Sequence, residues 1–133
     1  MKRVALIGYG YWGPNLLRNL FDAQDCEVVY CCDLAQERLD LAKKRFPSLN
    51  ITSDITKVLK DSNIDCVVIA TPTKTHFPLA QKALLAGKDV LIEKPLASNI
   101  KQAQALAALA KKRKRILMVD HTFLFNDAVT VIK

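Results

Sequence analysis

Apolar residues fall along this chain in short unbroken runs, and between the runs they recur at helical spacing. The runs at residues 2–8, 27–32, 66–70, 89–93 and 116–119, with a shorter one around Ile51, read as strands. Stretches 13–23, 35–45, 55–61, 75–86 and 99–112 carry the spacing of amphipathic helices. Asp54 is placed to cap the third of these, and Gly87 to stop the fourth in the left-handed conformation. Strands that are apolar throughout are covered on both faces, and strands separated by helices run parallel. The pattern therefore predicts an α/β fold: a single-domain, three-layer, Rossmann-type doubly wound parallel sheet. Residues 126–133 read as the start of one more helix with no stop signal.

Composition narrows the class. The chain has 133 residues, one domain's worth, half of them hydrophobic and a quarter charged, as in an ordinary soluble globular protein. No apolar stretch is long enough to cross a bilayer, so a membrane is not expected as a partner. Lys2-Arg3 before an apolar run resembles a secretion signal, but the run is short, glycines interrupt it and no small-residue cleavage site follows. The four cysteines form no CxxC pair and share no zinc-like spacing with histidine, so no metal site is expected. Cys31 and Cys66 lie inside strand runs, where a reduced thiol acts as a small hydrophobe, which points to the reducing cytoplasm.

A net charge of +7 asks for an anionic partner without naming it. The densest basic cluster, KKRKR at 111–115, closes an alanine-rich helix, where cations complement the helix dipole and face solvent. With no interleaved aromatic residues to stack bases, it is not read as a nucleic-acid surface.

Candidate chemistry begins at Gly8-Tyr9-Gly10-Tyr11-Trp12-Gly13, a G-x-G-x-x-G between the first strand and the first helix. In such a turn Gly8 permits the bend, Gly10 lets the backbone approach a pyrophosphate, and Gly13 lets helix and strand pack closely. The helix N-terminus offers unpaired N–H groups to the anion, and Pro14, just inside it, sacrifices no donor that had a partner. Tyr11 and Trp12 present their backbone to the same place; the Trp12 side chain reads equally as core packing or as a lid. Asp33 follows Gly13 by twenty residues, at the end of the second strand, where a carboxylate accepts hydrogen bonds from adenosine ribose hydroxyls. It would repel the 2′-phosphate of NADP, and Leu34 rather than an arginine comes next, so NAD is the expected cofactor. A helix-capping role for Asp33 is the bland alternative, and an S-adenosylmethionine site is a distant one, because no acid precedes the glycines.

Two later stretches lie at strand C-terminal ends, the edge where open parallel sheets bind ligands: Ala70-Thr71-Pro72-Thr73-Lys74-Thr75-His76 and Glu93-Lys94-Pro95-Leu96. Together with GYGYWG and Asp33 they resemble the N-terminal domain of the glucose–fructose oxidoreductase, inositol dehydrogenase and MocA family. The resemblance covers nearly the whole chain in the right order. GYWGPNLLRN and HTFLF are most similar to members acting on nucleotide-linked sugars.

The resemblance implies roles for particular residues. Lys94 lies beside the nicotinamide and bonds the hydroxyl being oxidised, Glu93 sits near the nicotinamide ribose, and Lys94–Pro95 is a cis peptide bond. Thr71, Pro72 and His76 line the cofactor's path. From the residues alone, Lys94 could be an exposed turn lysine, and His76 could be satisfied by local backbone; His121 is close enough to the same edge to be considered. Family members are more than twice as long, with a second domain that holds the sugar, mediates oligomerisation and supplies a histidine in an HxxD-type motif. Residues 1–120 are thus expected to be the dinucleotide-binding domain and 121–133 the start of the connection onward. The expected function is the NAD half of a dehydrogenase acting on a sugar or nucleotide sugar, inactive by itself. The alternative is a stand-alone NAD-binding module without catalysis.

Overall fold

The computed structural model describes residues 1–125 and 127–132; Asn126 and Lys133, at the two ends of the expected last helix, lie outside them. Six strands alternate with helices: β1 (Lys2–Ile7), α1 (Gly13–Asp22), β2 (Cys26–Cys32), α2 (Gln36–Arg45), β3 (Asn50–Thr52), α3 (Ile55–Lys60), β4 (Cys66–Ile69), α4 (Thr73–Leu85), β5 (Asp89–Glu93), α5 (Ile100–Arg113) and β6 (Leu117–Asp120). A 3-10 turn, Thr122–Phe125, leads into α6 (Asp127–Ile132). All pairings are parallel, in the order β3-β2-β1-β4-β5-β6. The chain winds outward from β1 in one direction and from β4 in the other. This is the doubly wound sheet expected, with its switch point between β1 and β4.

Each face of the sheet buries a separate core. Leu6, Cys31 and Val68 pack against Leu17 of α1 and Leu39 and Ala42 of α2. Ile7, Ile69 and Ile92, one residue further along their strands, pack on the other side against Val58 of α3, Ala80, Ala83 and Leu84 of α4, and Leu106 of α5. Near-continuous apolar strands satisfy both faces at once, which is why no polar alternation appears in them. Cys31 and Cys32 point to opposite cores as buried free thiols.

Local signals fix the helix ends. Asp54 caps α3 by accepting a 2.7 Å bond from the Thr56 amide, and Gly87 turns the chain after α4 at φ +76°. The fourth helix begins at Thr73, two residues ahead of the expected start, because Pro72 holds an extended conformation at its cap and its carbonyl takes the Thr75 amide at 2.9 Å. On the edge away from the site, Lys88 is buried and its Nζ donates to the carbonyls of Asp61 at 2.6 Å and Ile64 at 2.7 Å. It fastens the turn after α3 to the start of β5.

Candidate functional site

At the C-terminal end of β1 the chain turns at Gly8, φ +98°, where a Cβ would lie 2.6 Å from the Ala70 carbonyl oxygen. A Cβ on Gly13 would meet the Gly8 oxygen at 2.4 Å, so helix and strand touch there through backbone alone. Gly10 differs: its added Cβ would have only the Arg38 guanidinium, 3.8 Å away, within reach. The space beside it belongs to a cleft of about 960 Å³ that runs over the strand ends. Among the described residues, the amides of Gly10, Tyr11 and Trp12 make no hydrogen bond within the protein. Trp12 occupies the cap position of α1 without a side-chain bond, and the first turn carries no acid. Free donors, a positive helix end and open space at Gly10 together fit a diphosphate.

Asp33 lies where β2 ends, its side chain 7% exposed. Oδ2 accepts the Tyr9 amide at 2.7 Å and Oδ1 accepts the Ala35 amide at 2.9 Å. The carboxylate therefore ties the glycine loop to the approach of α2, and it also forms part of the cleft wall. It does not cap α2, whose cap residue is Ala35 with no side-chain bond to the first turn, and its remaining acceptor directions are free to face the cleft. Arg38 of α2 brings Nη1 to 3.6 Å from Oδ2 and lines the same end of the cleft. Arg38 is not adjacent to Asp33 in sequence; it reaches the carboxylate from the first turn of α2, five residues on.

Gly8, Gly10, Tyr11 and Trp12 form one wall, and Thr71 and Pro72 form the floor over β4. The rings of Tyr11 and Trp12 stack 6.2 Å apart, with Trp12 half-exposed at the rim, so it is not a core residue. Glu93 and Lys94 stand at the β5 end. Two expected residues do not line the cleft. Gly13 packs beneath the loop. His76 is 1% exposed, with Nδ1 2.8 Å from the Pro95 carbonyl and Nε2 2.7 Å from the Thr71 carbonyl. It braces the two loops against each other, satisfied by backbone as one sequence reading had it, through Thr71 nearby and Pro95 nineteen residues away. The Lys94–Pro95 peptide is cis, as the resemblance implied. His121 lies just past β6, exposed, its amide bonded to Val119. Lys74 and Thr75 of the ATPTKTH stretch and Thr122 and Phe123 of HTFLF also border the cleft, as does Ser53, which lies in no motif.

Electrostatics are uneven along the cleft. Burial, and then the neighbouring Asp120 carboxylate, push the Glu93 carboxyl above its ordinary value. Glu93 Oε1 is buried with no hydrogen-bond partner. The four thiols are all raised, chiefly by burial.

A glycine turn at the switch point, an anchored acid at the next strand end and a cleft spanning both define a dinucleotide-binding Rossmann domain. Residues 2–121 match the oxidoreductase family with an NAD-binding Rossmann fold, Gfo/Idh/MocA, and the chain belongs to that family. It is 39% identical over 134 residues to the uncharacterized oxidoreductase YdgJ of Escherichia coli, covering 98% of this chain and 37% of that protein. It is 31% identical over 128 residues to D-apiose dehydrogenase of Paraburkholderia graminis, covering 96% of this chain and 34% of the enzyme. Among solved structures, KijD10, a 3-ketoreductase from Actinomadura kijaniata in complex with TDP-benzene and NADP, superposes with a TM-score of 0.87 at 30% identity. That match covers 92% of this chain and 38% of KijD10. The chain thus spans little more than a third of the relatives it matches.

Proposed function

We propose that this chain is the NAD-binding part of a dehydrogenase that moves hydride between a sugar or nucleotide-sugar hydroxyl and a nicotinamide. The observation that carries the reading is Asp33, held rigid by two backbone amides at one end of a cleft whose other end is bordered by Lys94. From β2 to β5 the cleft crosses three interstrand spacings, about 14 Å at about 4.8 Å each. That is room for two nucleosides joined through a diphosphate.

In this reading the amides of Gly10, Tyr11 and Trp12 hold the diphosphate and Asp33 accepts from the adenosine ribose. Thr71 and Pro72 line the middle, and Glu93 and Lys94 surround the nicotinamide riboside. The cofactor, when bound, supplies the hydride acceptor. Lys94, a mobile point charge with three donors, is the group that takes up or returns the hydroxyl proton. Selection of the sugar falls to a further domain, consistent with the share of the relatives that this chain spans. The names of D-apiose dehydrogenase and the TDP-ligand complex of KijD10 support a sugar-type substrate.

NAD rather than NADP follows from charge. A 2′-phosphate would meet a fixed carboxylate, while Arg38, half-exposed and 3.6 Å away, offsets part of that repulsion. Calorimetric titration is expected to give tighter binding of NAD than NADP. Arg38→Ala is expected to widen the gap, and Asp33→Asn, which keeps one acceptor oxygen, to narrow it by about tenfold, or about 1.4 kcal/mol. Tighter NADP binding by the unaltered chain would remove the argument for NAD.

A further inference from the structure

Asp120 belongs to no motif, yet it stands where the chemistry of the cleft is concentrated. β5 and β6 pair in parallel with Glu93 opposite Asp120, the last rung of the ladder. Ile92 and Val119, one residue earlier in each strand, point into the core beneath α4 and α5. By the alternation of a strand, Glu93 and Asp120 therefore leave the sheet side by side on the opposite face. As Cα partners on neighbouring strands, their two carboxyls are neighbours on that face. Both residues are half-buried, and Lys94 follows directly in the cleft wall.

Two ionised carboxylates in register repel each other and can share no hydrogen bond, since each offers only acceptors. A single proton resolves it by turning one oxygen into a donor for the other. The Oε1 atom of Glu93, buried without a partner, is the atom left stranded when no such proton is present. Burial and the Asp120 charge both push the Glu93 carboxyl upward, while the Lys94 amide and ammonium pull in the other direction without reversing it. The other ionisable groups on the adjoining elements are Tyr11 of the glycine loop, Lys74, His76 and Lys82 of α4, Asp89 of β5, Lys101, Lys111, Lys112 and Arg113 of α5, His121 after β6 and Asp127 of α6. The groups acting on Glu93 are Asp120 and Lys94.

We propose that Glu93 and Asp120 hold one proton between them, that Asp120 thereby positions Glu93 beside Lys94, and that this proton is linked to the redox state of the bound nicotinamide. The linkage rests on the reading that places the nicotinamide end of the cofactor at Glu93 and Lys94. With the proton in place, Glu93, Asp120 and Lys94 sum to no net charge; without it they sum to −1. The oxidised nicotinamide ring is cationic and the reduced ring is neutral. NAD⁺ therefore favours loss of the shared proton, and NADH favours its retention. As pH rises through the midpoint of the pair, NAD⁺ gains affinity relative to NADH.

Carboxyl-detected NMR titration of the 133-residue chain, labelled at Asp and Glu, tests the shared proton without any nucleotide. Glu93 is expected to titrate above the ordinary glutamate value of about 4.3. Asp120→Asn, isosteric and still able to donate, is expected to bring that midpoint down. Glu93→Gln is the companion variant, which assigns the Glu93 signal by removing it. A Glu93 midpoint in the ordinary range, or one that Asp120→Asn leaves in place, overturns the pair.

Calorimetry from pH 5 to pH 8 then tests the linkage. The ratio of the dissociation constants of NAD⁺ and NADH is expected to fall severalfold as pH rises. The limit is tenfold for each pH unit by which the midpoints of the two complexes differ. In Asp120→Asn the fall is expected to move to lower pH with the Glu93 midpoint. A flat ratio beside a confirmed pair overturns the linkage alone. Failure of both nucleotides to bind overturns the reading of the cleft and the linkage with it, leaving the shared proton to stand on the NMR result.

Discussion

At the scale of single residues, the three glycines of the loop carry different burdens, and substitution separates them. Gly8 and Gly13 are demanded by the fold: an added Cβ would sit 2.6 Å or 2.4 Å from a backbone oxygen that cannot move aside. Gly13→Ala is expected to destabilise the chain by about 1–3 kcal/mol, the cost of forced overpacking, and to weaken binding only as a consequence. Gly10 is not demanded by the fold, and on the proposed reading it answers to the ligand. Its added methyl would stand 3.8 Å from a flexible guanidinium and inside the cleft. Gly10→Ala is expected to leave stability within about 1 kcal/mol while weakening NAD at least tenfold, or about 1.4 kcal/mol. Urea unfolding beside calorimetry checks both; a Gly10→Ala variant that binds NAD normally would detach the loop from the diphosphate. The spacing G-x-G-x-x-G announces all three residues alike, and only the backbone geometry around each tells the structural pair from the cleft-facing one. Asp33 gives the same lesson. Its position past β2 was legible, but its grip on the Tyr9 and Ala35 amides was not, because Tyr9 lies 24 residues away along the chain.

At the scale of elements, period and punctuation account for most boundaries, and the exceptions have physical causes. Gly87 marks the end of α4 because glycine reaches φ +76° without strain. Lys114 does the same work after α5 at φ +53°, and nothing in a lysine foretells it. The turn is imposed by the need to enter β6: Arg115 and Lys114 donate to the carbonyls of Ala110 and Lys111 at 3.0 Å and 3.1 Å, closing the last helical turn. A left-handed conformation costs an L-residue about 1–2 kcal/mol, of which glycine's greater freedom when unfolded returns a part. Lys114→Gly is therefore expected to stabilise by about 0.5–1 kcal/mol and raise Tm by about 3 °C. Lys112→Gly, inside α5 with the same change of composition and charge, is expected to cost about 1 kcal/mol. Thermal unfolding of the two variants compares them directly, and equal shifts would refute the account of the cap.

At the scale of the whole molecule, the architecture was legible because apolar strands and intervening helices admit few arrangements. The site was legible in outline because open parallel sheets present their ligand edge at strand ends. Arg38 and Asp120 were not, because the rotation of a helix and the register between two strands decide what they face, and neither is written locally. The same sheet distributes thiols so that its stability depends on alkaline pH. Burial pushes Cys31 up to about 12, and Cys32 and Cys66 to about 11, against 9.0 for an ordinary thiol. Nearby carboxylates add to each shift, Asp33 at Cys31 and Cys32 and Asp89 at Cys66. Above pH 9 the unfolded chain has lost thiol protons that the fold still holds, so unfolding releases protons and stability falls as pH rises. Below pH 9 both states keep these protons and the thiols add no slope. Each thiol contributes at most about 1.4 kcal/mol per pH unit, about 4 kcal/mol for the three. Urea unfolding at pH 8, 9 and 10 measures the slope. Cys31→Ala lowers stability at every pH by leaving a small cavity, but it is also expected to remove about a third of the thiol slope above pH 9. Other groups titrate equally in both proteins and cancel in the difference, so an unchanged slope in Cys31→Ala would show that the buried thiol is not what links this fold to alkali.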